Sequence, residues 1–193
     1  AAAGELQMIL NAASRQPAGG ETRIGNSAPA LTLDRITFCH REGETVLREC
    51  SLHVEAGEAI AIRGASGGGK TTLLRLLLGQ LRAQEGDVLI DNQPIDDIEL
   101  AAWRERIAWM SQHPRLMADT LAANLRVACS DASNTELREA LDFAGLESWF
   151  AGLPDGLATR LGEGGRQLSG GQLRRLALAR LRLRRADVLL LDE

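Results

Sequence analysis

The sequence contains no tyrosine, and its only aromatic residues besides histidine are three tryptophans and three phenylalanines. It has no long apolar run, so we expect none of this chain to cross a bilayer. The three cysteines, Cys39, Cys50 and Cys129, lack C-x-x-C spacing, which predicts reduced, mostly buried thiols of a cytosolic protein and no redox site. The net charge of -4 argues against nucleic acid as the main partner.

Length and composition predict one domain with a real core and room for a small subdomain. The segment Ala1–Leu10 has helical apolar spacing and precedes a stretch rich in proline and glycine, Pro17–Pro29. We therefore expect a helix tail and linker over residues 1–30, and an unstructured leader is the open alternative. The chain stops just after an apolar run, Val188–Leu191. A buried parallel strand needs neighbours on both sides, so we expect a fragment.

The most informative segment reads Gly-Ala-Ser-Gly-Gly-Gly-Lys-Thr over residues 64–71. It matches G-x-x-x-x-G-K-[ST], in which backbone N–H groups hold a nucleotide's phosphates. The glycines permit backbone conformations that turn amides inward, which a Cβ would obstruct. Lys70 would supply a charge for the β- and γ-phosphates, and the hydroxyl of Thr71 can bind Mg²⁺.

The residues flanking this loop predict a strand before it and a helix after it. Ala59–Ile62 is a short apolar run typical of an interior parallel strand. Leucines dominate Leu73–Leu81, which predicts a largely buried helix whose N-terminus adds partial positive charge to an anion site. A glycine-rich turn without a ligand is the alternative that the loop leaves open.

A second glycine-containing turn, Leu168–Gln172, precedes a predicted helix over 173–185. The Ser169 hydroxyl and free N–H groups at a helix N-terminus suit a terminal phosphate. The alternative is that Ser169 only caps an ordinary helix.

The third motif is the predicted strand Val188–Leu191 followed by two carboxylates, Asp192 and Glu193. In an open α/β sheet the carboxyl end of such a strand lies beside the phosphate loop. Asp192 would then bind Mg²⁺ directly or through water, and Glu193 would act as general base toward the attacking water. The alternative is a strand that simply ends at the surface.

With these three motifs in this order, the chain resembles the nucleotide-binding domain of ATP-binding cassette (ABC) proteins from residue 31 to 193. The resemblance implies an α/β P-loop NTPase fold with a parallel sheet core, an N-terminal antiparallel β portion and an inserted α-helical subdomain, truncated after the Walker B strand. The helical subdomain would cover about residues 115–165. Local signals there agree, because Ser133 and Glu136 have the spacing of a capping box.

The resemblance also implies roles for individual residues. Gln112, the last residue of a predicted strand over 107–112, would be the Q-loop glutamine. His40 takes the place of the family's adenine-stacking aromatic residue, and a surface histidine in a hairpin loop is the alternative. The implied catalytic residues are Glu193, Lys70 and Gln112, and the implied Mg²⁺ ligands are Thr71, Gln112 and Asp192. The implied ATP-binding residues are His40, Gly64, Ala65, Ser66, Gly67, Gly68, Gly69, Lys70, Thr71, Thr72, Ser169, Gly170, Gly171 and Gln172.

The order of the segments, a helix tail and linker over 1–30 and then the cassette over 31–193, resembles that of an exporter. In an exporter one polypeptide carries a membrane-spanning domain followed by the ATPase domain. The sequences of residues 161–167 and 174–180 resemble those of one subunit of the bacterial heterodimeric thiol exporter. That exporter moves cysteine and glutathione and supports cytochrome bd assembly. The resemblance then implies a second cassette, as a homo- or heterodimer sharing two ATP sites, at the cytoplasmic face of the bacterial inner membrane. The alternative is a soluble ABC ATPase of the chromosome-maintenance or ribosome-associated type.

Overall fold

The computed structural model describes residues 20–22, 24–25, 27–40 and 43–192. The chain divides into two compact units, residues 1–107 and 108–193. The helix predicted over Ala1–Leu10, and part of the linker after it, lie outside the described residues. Within the described part, no helix combines the length and the apolar character needed to cross a bilayer.

An antiparallel sheet of four strands organises the first unit, in the order β2-β1-β3-β4. The strands are β1 (Leu31–Cys39), β2 (Thr45–Val54), β3 (Glu85–Ile90) and β4 (Gln93–Pro94). β1 lies in the middle and pairs with β2 and β3 along its length. Burial alternates along most of β1, as expected for a strand with one face on a core. The predicted antiparallel N-terminal portion is confirmed.

Two helices complete this unit, α1 (Lys70–Leu77) and α2 (Leu100–Glu105). The helix predicted over 73–81 therefore begins three residues earlier and ends before Gly79, whose φ of 60° stops it. Trp103 of α2 is 1% exposed, and its indole N–H donates to the Leu77 carbonyl at 2.8 Å. This bond gives a buried donor its partner and holds the end of α1 against α2.

The strand predicted at Ala59–Ile62 is not formed, and residues 58–65 have no helix or strand assignment. Ile60 and Ile62 are 41% and 39% exposed. A strand requires a hydrogen-bonded neighbour, and the edge strands of the four-stranded sheet, β2 and β4, do not pair with this segment. An apolar run such as Ala59–Ile62 is therefore not sufficient by itself to predict a strand.

The second unit contains four helices and two paired strands in its described part. They are β5 (Ile107–Met110), α3 (Leu121–Arg126), α4 (Asn134–Phe143), α5 (Glu147–Ala151), α6 (Gly170–Arg184) and β6 (Val188–Leu191). The strands predicted before Gln112 and Asp192 are thus confirmed. One apolar cluster joins α3, α4 and α6, with Leu125, Leu137 and Leu176 each at 0% exposure.

Helix α4 begins and ends where the sequence predicts. Ser133 and Glu136 form the predicted capping box, with the carboxylate accepting from the Ser133 N–H at 2.9 Å. Gly145, at φ 66°, follows the last turn. Two arginines of the α6 region bind opposite ends of α4, since Arg175 donates to the Gly145 carbonyl and Arg185 pairs with Glu136. These contacts fix α4 along α6. The limits of the helical subdomain, about residues 115–165, stay a prediction.

Candidate functional site

The glycine loop before α1 adopts the left-handed backbone that the sequence predicts. Gly67 and Gly69 have φ values of 79° and 82°. The Gly68 N–H donates to the Ala65 carbonyl at 3.1 Å, which closes a tight turn. An ideal Cβ built at Gly64 or Gly67 would meet nothing within 4 Å. The loop is therefore open on that side, and backbone strain explains why Gly67 is a glycine.

Gly69 has a second reason to be glycine, because it packs against β2. An ideal Cβ there would lie 2.7 Å from Leu47 Cδ2 and 3.1 Å from Val46 Cγ1. Gly69 is also the N-cap residue of α1, which begins at Lys70. The close approach thus fixes the helix N-terminus against the sheet, where the positive end of its dipole faces the loop.

Lys70 folds over the loop that precedes it. Its ammonium donates to the carbonyls of Gly64 and Ala65 at 2.9 and 2.8 Å. The positive charge is thereby held at the mouth of the loop, where a phosphate would be attracted. Thr71 is half-buried in the first turn of α1, and Thr72 is buried at 6% exposure.

His40 lies beside this helix, a relationship that its position in the sequence does not reveal. Its Nε2 is 3.3 Å from Thr72 Oγ1. Its ring stands edge-on to Phe38, with centroids 5.0 Å apart and an interplanar angle of 87°. The imidazole thus has neighbours on two sides next to the glycine loop. His40 nevertheless remains exposed to solvent.

In the second unit, Asp192 and Gln112 follow the ends of paired strands. The Asp192 N–H donates to the Met110 carbonyl at 2.9 Å, so the end of β6 meets the end of β5. Asp192 is 5% exposed and Gln112 is half-buried. A carboxylate this buried must be hydrogen-bonded or bind a cation. Glu193, the predicted general base, lies outside the described residues.

Ser169 caps α6 in a complete capping box. Its hydroxyl accepts from the Gln172 N–H at 3.2 Å, and the Gln172 side-chain oxygen accepts from the Ser169 N–H at 3.0 Å. Gly170 and Gly171 are exposed, and a Cβ at either would meet nothing within 4 Å. The N-terminus of α6 is consequently accessible, and a helix of 15 residues carries a partial positive charge there.

The predicted residues thus fall into two groups. The first unit holds His40 and the loop residues 64–72, and His40 contacts the helix that follows the loop. The second unit holds Gln112, Asp192 and residues 169–172. Among the described residues, no cluster of three or more His, Cys, Asp or Glu side chains is placed to hold a metal ion.

Sequence reasoning did not single out Asn124, which is 0% exposed and lies at the centre of the second unit's polar contacts. Its partner Arg180 lies on the apolar face of α6, between the buried residues Leu176 and Leu183. The helical spacing of Leu176, Arg180 and Leu183 is the signal that could have indicated an arginine on the buried face of the helix.

Comparison with known proteins extends these observations. The family model described as ABC transporter matches residues 47–193. The chain is 39% identical over 179 residues to the ATP-dependent lipid A-core flippase of Chromobacterium violaceum, covering 92% of this chain and 31% of that protein. It is 42% identical over 174 residues to the glutathione/L-cysteine transport system ATP-binding/permease protein CydC of Escherichia coli K12, covering 90% and 30%.

A solved structure gives the same result for the fold. A bacterial Atm1-family ABC exporter with ATP bound matches with a TM-score of 0.83 and 34% sequence identity, over 92% of this chain and 31% of that one. The predicted mixed α/β fold, with its antiparallel and parallel sheet portions, is confirmed. This chain spans about a third of the length of the relatives it matches.

Proposed function

From the premise that this chain belongs to the ABC transporter family and is an ATP-binding domain of it, we propose that it powers an exporter. Two helix N-termini carry the proposal, the phosphate loop with Lys70 folded over it and the accessible end of α6. Both have the partial positive charge of a helix N-terminus, which attracts the negative charge of a triphosphate.

Residues 64–72 would hold the phosphates of ATP. Lys70 would exchange the carbonyls of Gly64 and Ala65 for phosphate oxygens, so that its ammonium would bond to charged acceptors in place of neutral ones. His40 would stack on the adenine, supported by its position beside Thr72.

For hydrolysis we propose Thr71, Gln112 and Asp192 as the residues that hold Mg²⁺. A hydroxyl, an amide and a carboxylate supply the hard oxygen donors that this ion takes together with phosphate oxygens. When bound, Mg²⁺ would neutralise charge that develops on the phosphates. Glu193 would accept a proton from the attacking water, because it follows Asp192 at the end of β6.

Ser169, Gly170, Gly171 and Gln172 would bind ATP held by a second cassette, in a homodimer or a heterodimer. The exposure of both glycines supports a role toward a partner. ATP would then stabilise the pair of cassettes, and hydrolysis would weaken their contact, which makes the dimer a two-state element. This cycle would drive a membrane-spanning domain of the same polypeptide.

The proposed location is the cytoplasmic face of the bacterial inner membrane.

The proposed substrates are cysteine and glutathione, supported by the 42% identity to the Escherichia coli glutathione/L-cysteine transport protein. The test is ATP-dependent uptake of labelled cysteine and glutathione into inside-out vesicles holding the intact transporter. Uptake of neither thiol, with ATP hydrolysis intact, would reject the substrate and leave the ATPase assignment standing.

The role of Ser169 can be separated from helix capping, because Ser133 makes the same capping box on α4. In the intact transporter, Ser169→Ala and Ser133→Ala should each cost about 1 kcal/mol of stability as lost caps. Only Ser169→Ala should also lower the ATPase rate, by about a hundredfold, since it removes a group aimed at the transferred phosphate. Equal ATPase rates in the two variants would refute a phosphate-binding role for Ser169.

A further inference from the structure

A half-buried arginine, Arg180, joins α6 to the chain segment that follows Gln112. The guanidinium of Arg180 donates through Nε to the Asn124 carbonyl at 2.8 Å and through Nη1 to the Arg115 carbonyl at 2.8 Å. Its Nη2 donates to Asn124 Oδ1 at 2.9 Å. Burial lowers the pKa of this guanidinium by desolvation. Three neutral oxygens thus hold a partly desolvated charge, an arrangement that depends on the planar fork of arginine.

Asn124 in turn closes the loop over residues 115–120. Its Oδ1 accepts from the Met117 N–H at 2.9 Å, and its Nδ2 donates to the Met117 carbonyl at 3.0 Å. Nδ2 also lies 3.0 Å from the Thr120 carbonyl. The side-chain amide is therefore bonded on all sides, and the loop cannot shift without breaking several partly buried hydrogen bonds.

The other side of this loop is bonded to the chain that leads to Ser169. The Leu161 N–H donates to the Asp119 carbonyl at 2.8 Å, and a Cβ at Gly162 would lie 3.3 Å from the Met117 carbonyl. The Leu121 N–H donates to the Thr159 carbonyl at 2.8 Å. Residues 115–120 are consequently hydrogen-bonded to two parts of the chain that flank Ser169. One is the segment 159–162 before it, and the other is Arg180 after it.

We propose that Arg180 and Asn124 are positioning residues that make the segment 115–120 and the Ser169 end of α6 move as one body. From Arg180 to Ser169 the helix is continuous and about 16 Å long at 1.5 Å per residue, so a shift at one end carries to the other. The functional consequence, that movement after Gln112 sets the position of Ser169 toward ATP, rests on the function proposed above.

The test compares Arg180→Lys with Arg174→Lys in the intact transporter. Lysine keeps the charge but cannot reach three acceptors at once, and Arg174 is an exposed arginine of the same helix. Arg180→Lys should raise amide exchange about tenfold in both 115–121 and 168–173, as local opening becomes easier. It should lower kcat about tenfold while the Kd for ATP stays within about twofold, because a positioning error acts on the chemical step.

Arg174→Lys should leave exchange and kcat unchanged. Faster exchange confined to 115–121, with 168–173 as protected as in the wild type, would overturn the proposal. So would a kcat in Arg180→Lys equal to that of Arg174→Lys. If the wild-type transporter hydrolyses no ATP, the proposed function fails, whereas the exchange measurement still decides the mechanical coupling.

A second variant covers the case in which Arg180→Lys fails to fold. Asn124→Asp preserves the volume and the Oδ1 contacts to Met117 N–H and Arg180, but it removes the Nδ2 donor to the Met117 and Thr120 carbonyls. It should increase exchange in 115–121 and in 168–173 together. Unchanged exchange at 168–173 in this variant would equally overturn the proposal.

Discussion

His40 Nε2 lies 3.3 Å from Thr72 Oγ1, so the residue that follows β1 is hydrogen-bonded to the helix that follows the glycine loop. The two residues are separated by 32 positions, and only the packing of α1 beside the antiparallel sheet brings them together. With Phe38 against its other side, the ring of His40 has a defined orientation next to the loop.

His40→Ala should therefore raise the Kd for ATP about tenfold, because base stacking on an aromatic ring contributes about 1–3 kcal/mol. His40→Phe restores an aromatic face without the bond to Thr72 and should recover most of the affinity. Thr72→Val removes the same bond together with a hydroxyl of the proposed phosphate site, so its effect on the Kd combines the two. Titration with a fluorescent ATP analogue measures all three, and wild-type affinity in His40→Ala would remove the ring from the site.

Glu193→Gln tests the proposed general base. The amide keeps the size of the side chain but cannot accept the proton of water, so turnover should fall at least about a hundredfold with ATP binding retained. Steady-state ATPase rates and equilibrium ATP binding of the intact transporter give the two quantities. An unchanged rate in this variant would place the base elsewhere.

Gly69→Ala tests whether the start of α1 needs glycine. The substitution forces a left-handed φ of 82° on alanine and puts its Cβ 2.7 Å from Leu47 Cδ2, so we expect a loss of about 2 kcal/mol. Gly152→Ala is the matched control, because its φ is -83° and its nearest contact would be an ordinary 3.6 Å. It should change stability by less than about 0.5 kcal/mol. The midpoints of urea unfolding measure the stability of both variants. Equal midpoints for Gly69→Ala and Gly152→Ala would contradict the expected strain at Gly69.

Acid should weaken the start of α4. Hydrogen bonds from the Ser133 N–H and hydroxyl hold the pKa of Glu136 below its ordinary 4.5. Because the folded-state pKa is depressed, this contribution to stability is present above pH 4.5 and is lost as pH falls through the lower folded value. Glu136→Gln should flatten that part of the pH profile of unfolding, whereas Glu139→Gln, at an exposed position of the same helix, should not. An unaltered acid slope in Glu136→Gln would show that this carboxyl contributes nothing.

Local patterns explain which predictions succeeded. The capping box at Ser133 involves residues three positions apart, so the spacing alone is sufficient to predict it. Gly67 and Gly69 likewise carry their backbone requirement in their own residue type. Ala59–Ile62 failed as a strand, because strand formation depends on a neighbour that no local pattern specifies.

The sequence by itself determined the family, the left-handed glycines of the loop at 64–69 and the start of α4, since each depends on residue types at short, constant spacing. Only the tertiary structure decided that Leu47 packs against Gly69, that His40 reaches Thr72 and that Arg180 binds Asn124. These pairs are distant in the chain, and their contacts form only where the packing of whole elements outweighs the entropy of bringing them together.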